Sequence, residues 1–196
     1  MKKGLILIVS VAILIGILLF AGTEESRKGL TGAATTQTTS SDATIQAYFA
    51  IALSNNLSAG ISFGSIAALP AVDINASVNY NGSFNNNTGY SVDVSSDSNV
   101  NVDLCLKADK IFNTSGDDYI GLGNWTYSQN TTNNFTIPAL NVAVQIRLNY
   151  SNGTTGVSPS NSNYYRFWLD VPGAQAAGIY NNTVTFKGLQ TGGACN

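Results

Sequence analysis

Apolar residues recur at every second position along most of this chain, and that period decides what it can build. Val72, Ile74, Ala76, Val78 and Tyr80 alternate with Asp73, Asn75, Ser77 and Asn79. In an extended strand this puts the first set on one face and the second on the other, so one face is buried and one is wet. The same pattern predicts a strand over residues 44–53, starting at Thr44, where Ile45, Ala47, Phe49, Ile51 and Leu53 share a face. It returns at Tyr90, Val92 and Val94, at Val100, Val102, Leu104 and Leu106, and at Val142, Val144, Ile146, Leu148 and Tyr150. Asn99, Asn101 and Asp103 then take the wet face of their strand. Shorter pieces at 61–66, 125–128, 164–170 and 180–187 complete the set, with Asn81-Gly82, Asn152-Gly153 and Pro172-Gly173 as turn signals. Helical periodicity is absent beyond residue 22. The expected class is all-β, a single β-sandwich of about eight or nine strands.

Ahead of the strands stands a segment of another kind. Residues 5–21, LILIVSVAILIGILLFA, carry no charge and follow Lys2 and Lys3. Such a run is stable in a bilayer or a translocon, so residues 1–22 are expected to form a hydrophobic helix that delivers the rest outside the cytoplasm. Three fates fit it. A retained anchor suits the length, with the two lysines held inside, although Arg27 and Lys28 follow on the far side. A cleaved signal peptide suits the basic start, but the run exceeds the usual core of roughly 7–15 residues and Leu19-Phe20-Ala21 matches a cleavage site poorly. Lys3-Gly4-Leu5-Ile6 resembles the site at which archaeal prepilin peptidases cut. Residues 23–43 then read as a linker, because GLTGAATTQTTSSD (29–42) has almost no large apolar side chain to bury. Residues 44–196 are the folded ectodomain.

Chemistry is constrained mainly by what is missing. The chain has no His, and no Glu beyond Glu25. No Ser-His-Asp or Cys-His nucleophile and no His-ligated zinc site can be assembled, so no catalytic residue and no cofactor are expected. Paired Asp as a glycosidase couple are too scattered to assign. From Thr35 onward nine Asp face five basic side chains, a net charge of −4, which does not suit a nucleic-acid partner. Asp97, Asn99, Asn101 and Asp103 have the spacing that opens a calcium loop, but Val102 and Ala108 stand where that loop wants Gly and Glu. No metal is expected there or at Asp117-Asp118. Tyr164, Arg166 and Trp168 share one strand face and could stack on sugar rings, as could Trp125, although a sandwich strand must also bury one face.

Two features point to an extracytoplasmic life. Cys105 and Cys195 are an even pair, expected to form a disulfide that pins the segment around Cys195. N-x-S/T sequons begin at Asn56, Asn75, Asn81, Asn86, Asn113, Asn124, Asn130, Asn134, Asn149, Asn152 and Asn181. With 23 Asn and 38 Ser plus Thr in 196 positions, chance predicts about 4.5 such sites, so eleven is more than a twofold excess. Asn75 falls on a wet strand face, and Asn81, Asn113, Asn130, Asn134 and Asn152 fall in expected turns or loops, where a glycan disturbs no core.

Residues 164–188, YYRFWLDVPGAQAAGIYNNTVTFKG, resemble the closing hairpin of many prokaryotic surface domains with an immunoglobulin-like fold. Those run a strand into V-P-x-G-x-x-x-G-x-Y and then a T-V-T-F strand; here Gly173 directly follows Pro172. The resemblance implies an immunoglobulin-like sandwich and says nothing of function. The leader, the Asn/Ser/Thr-rich strands and the late Cys together resemble archaeal surface filament subunits of the thread and bundling-pilus type. The function so implied is a non-enzymatic, glycosylated structural protein of the cell surface. Its partners would be the membrane, if the leader is retained, and copies of itself or other envelope proteins. In a filament, residues 44–53 (Thr44, Ile45, Phe49, Ile51 and Leu53 as anchors) would complete a neighbour's sheet by strand addition. The competing expectation is an adhesin or glycan-binding module using Trp125 or Trp168.

Overall fold

A computed structural model describes residues 37–79, 87–134 and 136–196. The leader, residues 23–36 of the linker, and Asn81 and Asn86 lie outside the described residues. No helix among the described residues is long and apolar enough to cross a membrane. The chain divides into two units at Thr44/Ile45. Residues 37–44 of the first are exposed and carry no helix or strand.

The second unit is all-β with antiparallel pairing. Its elements are β1 (Ile51–Leu53), the one-turn helix α1 (Asn55–Ala59), β2 (Ala71–Asn75), β3 (Tyr90–Val94), β4 (Val102–Ala108), β5 (Ile111–Asn113), β6 (Tyr119–Ile120), β7 (Trp125–Asn130), β8 (Val144–Gln145), β9 (Ser151–Asn152), β10 (Ser162–Val171), β11 (Tyr180–Asn181) and β12 (Val184–Gln190). One sheet runs β1-β3-β10-β7-β8, with β2 also on β10; a second runs β12-β4-β9 and a third β11-β5-β6. Ser54 caps α1, its hydroxyl accepting from Leu57 N at 3.3 Å.

The core is shared between the first two sheets. Val92, Tyr127, Tyr165 and Phe167 of the first cluster with Val102, Leu104 and Leu106 of the second, all essentially inaccessible. Tyr165 and Phe186 meet edge to face across the sheets, with centroids 5.2 Å apart. Each such side chain contributes about 1.5–3 kcal/mol on burial, so this cluster is where most of the fold's stability resides.

Residues 142–150 do not form one long strand. Ile146 N donates to Trp125 O (3.0 Å), yet Ala108 N donates to Arg147 O (2.9 Å), so the segment leaves the first sheet and joins the second between adjacent residues. Its alternation survives while its burial does not: Ile146 is buried, and Val142, Val144 and Leu148 are more than half exposed. The closing hairpin of residues 164–188 is likewise absent, because β10 pairs with β2, β3 and β7 while β12 pairs with β4. The connection crosses between sheets, with β11 on β5 along the way.

Residues 72–80 depart from simple alternation as well. Asp73 takes φ 53°, β2 stops at Asn75, and Val72 is 67% exposed. Asn79, expected on the wet face, is completely buried. Its Nδ2 donates to Phe167 O (2.6 Å) and its Oδ1 accepts from Phe167 N (2.8 Å). β3 pairs with β10 up to Tyr165 and β2 pairs from Trp168. Ala76 N, just past β2, also donates to Phe167 O (3.0 Å), so the part of the gap that only the Asn79 amide fills is the acceptor for Phe167 N. Thr88 helps, its hydroxyl donating to Tyr165 O at 2.7 Å. Asp103, also expected wet, is buried for the same kind of reason. Its carboxylate accepts from Gly156 N (2.7 Å) and Gly192 N (2.9 Å), tying two turns to the outer side of β4.

Candidate functional site

The sequons supply the densest set of candidate groups. Of the nine described, Asn56, Asn75, Asn130, Asn134, Asn149, Asn152 and Asn181 are exposed, and Asn113 and Asn124 are half-buried. The two fully buried asparagines, Asn79 and Asn163, belong to no sequon. Hydrogen bonding divides the asparagines the same way. Asn79, Asn99, Asn133, Asn163 and Asn182, all outside sequons, donate through Nδ2. None of the nine described sequon asparagines donates through that atom to another described residue. Nδ2 is the nitrogen to which a glycan is attached. In Asn113, Asn130 and Asn134 the carbonyl oxygen instead accepts from the backbone N–H two residues on, at 2.8–3.0 Å, a local turn that holds the amide in place.

Not every sequon offers equal access. A Cβ built on Gly89 would collide with Nδ2 of Asn56, and one on Gly178 would lie 2.5 Å from Nδ2 of Asn113. Those two amides lie flat against glycine backbone. Asn181 differs, since its neighbour Asn182 takes the structural contact, donating to Asp109 O at 2.8 Å.

The segment expected to exchange between chains sits at a sheet edge. Only Ile51–Leu53 is a strand, pairing with Val92–Val94 of β3. Upstream the chain is held by side chains: Tyr48 N donates to Asn99 Oδ1 (2.7 Å), Asn99 Nδ2 donates to Gln46 O (2.9 Å), and Ala50 N donates to Ser98 Oγ (3.2 Å). Phe49 and Ile51 pack on the core, whereas Ile45 is 85% and Leu53 39% exposed, and Thr44 is exposed in the first unit. The seat for the two anchors depends on Gly188 of β12. A Cβ there would lie 3.0 Å from Ile51 Cγ2 and 3.3 Å from Phe49 Cε2, so a larger residue requires both anchors to shift by a few tenths of an ångström.

Cys105 and Cys195 form the disulfide, with Cα atoms 5.8 Å apart. It fastens the segment after β12 over the outer side of β4, which is why Cys105 is fully buried. The calcium-like spacing at 97–103 does not converge on an ion, since Asn99 and Asp103 spend their oxygens on backbone N–H groups. Among the described residues no group of three or more Cys, Asp or Glu is placed to hold a metal. Asp118 is also engaged, accepting from Gln175 Nε2 (2.7 Å), Tyr180 Oη (2.9 Å) and Ala176 N (3.2 Å). These donors, the Tyr180 hydroxyl first and the Ala176 N–H next, hold its carboxyl below the usual carboxylate range. A lowered folded-state pKa means that the stabilisation is present above the ordinary carboxylate pKa and is lost as pH falls through the folded value. Urea unfolding midpoints should show a small acid-side decrease that Asp118→Asn removes.

Both tryptophans are buried, Trp125 at 1% and Trp168 at 2% exposure, so neither presents a ring face to a sugar. Trp168 belongs to the outer side of β10, but this side is covered. Arg166 Nη1 donates to Pro138 O at 2.9 Å, and the guanidinium carbon lies 5.2 Å from the Trp168 ring centre. Exposed aromatics lie elsewhere: Phe112 and Tyr119 on the third sheet are 47% and 44% exposed and Tyr48 is 55% exposed, while the half-buried Tyr150 has Lys107 and Lys187 ammonium groups at 4.9 and 5.2 Å from its ring centre. Phe112 and Tyr119 escape sequence reasoning, because strands of two or three residues leave no periodic signal.

Comparison with known proteins returns no matching family model, no matching curated protein and no matching solved structure.

Proposed function

We propose that this chain is an exported, N-glycosylated and non-enzymatic structural protein of the cell surface, with an immunoglobulin-like β-sandwich as its body. It assembles with copies of itself into a filament or envelope layer by strand addition. The observation that carries this reading is the state of residues 46–53. They directly follow the linker and lie on the open edge of the first sheet. They are held there by main-chain and amide hydrogen bonds and by two anchors, Phe49 and Ile51. A segment bound mainly through its backbone can be supplied by a neighbouring copy as readily as by its own chain, since the same acceptors and the same seat at Gly188 receive it. The intact disulfide supports an oxidising compartment, and the free amide nitrogens of the sequons support glycosylation.

Deleting residues 44–53 is expected to abolish polymers seen by electron microscopy of the cell surface while export continues. Polymers that persist in the deletion strain rule out exchange of this segment. The adhesin reading built on Trp125 or Trp168 is less well supported, since Trp125 lies in the core and Trp168 is covered on the outer side of β10.

A further inference from the structure

We propose that Asn181 carries an N-linked glycan whose first sugar packs against the Phe112 ring, making the sugar part of the third sheet's outer layer. The inference rests on the reading above that the chain is exported and N-glycosylated. In register, Asn181 of β11 stands directly opposite Phe112 of β5, and Phe112 stands opposite Tyr119 of β6. Directly opposed residues on an antiparallel sheet project from the same face with Cβ atoms about 4.5–5.5 Å apart. Asparagine, phenylalanine and tyrosine thus form one row across three short strands, and all three are exposed or nearly half-exposed.

The two rings are 5.9 Å apart between centres and tilted by 54°, and the Phe112 side chain is 47% exposed. Lys110 places its ammonium 4.0 Å from the Tyr119 ring centre, at the rim of the row. Asn181, Phe112, Lys110 and the half-exposed Leu148 line one depression of about 500 Å³, within the range of roughly 300–1,000 Å³ that holds small-molecule ligands. Ile179, two residues before Asn181, is 73% exposed. An open apolar surface of this kind is costly in water and calls for a cover. The apolar C–H face of a pyranose attached one strand away supplies it. Asn56 and Asn113, pressed on glycine backbone, have no such room.

The attachment forms a bond between Asn181 Nδ2 and the anomeric carbon of a lipid-linked oligosaccharide phosphate donor. The anomeric C–O bond breaks, the phosphate departs with the electron pair, and the amide proton passes to the base of the external transferase.

The test uses the full chain purified from its native host. Glycopeptide mass spectrometry is expected to find Asn181 occupied. Asn181→Gln and Phe112→Ala are each expected to shift the unfolding equilibrium of the glycosylated protein by about two- to twelvefold, and the double variant by no more than one of them alone. Phe112→Tyr should retain the effect, and Phe112→Ala should cost less in protein expressed without glycans, where only its contact with Tyr119 is lost. Sugar at other sequons with Asn181 bare overturns this proposal and leaves the glycoprotein reading standing. No sugar at any sequon overturns both. An occupied Asn181 with additive effects overturns the packing.

Discussion

Asn79→Ala is expected to lower the stability of the protein by about 3 kcal/mol, far more than an exposed asparagine would. The amide makes two hydrogen bonds to the backbone of one residue, at 2.6 and 2.8 Å to Phe167, and a third to Asn75 Oδ1 at 3.2 Å. Removing it leaves the N–H of Phe167 buried without a partner, costing about 1–3 kcal/mol, takes one of two donors from Phe167 O, which keeps Ala76 N at 3.0 Å, and leaves a void beside the central strand as well. Asn79→Asp discriminates between lost volume and lost bonding. It keeps the shape but sets a carboxylate oxygen against Phe167 O, and should be at least as harmful. Asn99→Ala, which removes an exposed amide at the sheet edge, serves as the mild control. Urea midpoints with an unchanged slope would check the ranking; a loss below 1 kcal/mol for Asn79→Ala would mean that the ladder closes without it.

Replacing both cysteines by serine should cost somewhat more, by a different route. The bridge spans 90 residues, and closing a loop of that size restricts the unfolded chain by about 4–5 kcal/mol on the loop-entropy model. In the folded state little depends on it. β12 holds β4 through seven successive register pairs, and Asp103 still accepts from Gly192 N. Native contacts should therefore survive, with β12 amides protected from exchange, while the unfolding midpoint falls steeply. A midpoint within 1 kcal/mol of the wild type would show that the unfolded chain is already compact enough to make the link redundant. Domains of this size are stable by about 5–15 kcal/mol, so either change removes a large share of the margin.

The sites that these experiments probe were unequally visible beforehand. Cys105 and Cys195 could be paired from count alone, because two cysteines have one pairing. The strands at β3, β4 and β10 were legible because each buries a clean alternate set: Tyr90, Val92 and Val94; Val102, Leu104 and Leu106; Tyr165, Phe167 and Leu169. Asn79 and Asp103 were misread, because a polar residue that closes a gap in a ladder occupies the same alternating slot as one that faces water. Residues 142–152 show the other limit. Period two states that neighbours point apart, and it is silent on which sheet receives them, so a strand that changes sheets at Ile146/Arg147 keeps its pattern and loses its burial.

The sequence by itself determined the all-β class, the cysteine pair and the surplus of sequons, because these follow from period, count and composition, which are local or additive. Only the tertiary structure decided which strand edges are left short and which amide fills them. It alone covered the tryptophans and put Asn181 in line with Phe112 and Tyr119. Those outcomes depend on register between segments tens of residues apart, and register is settled by the packing of the whole core.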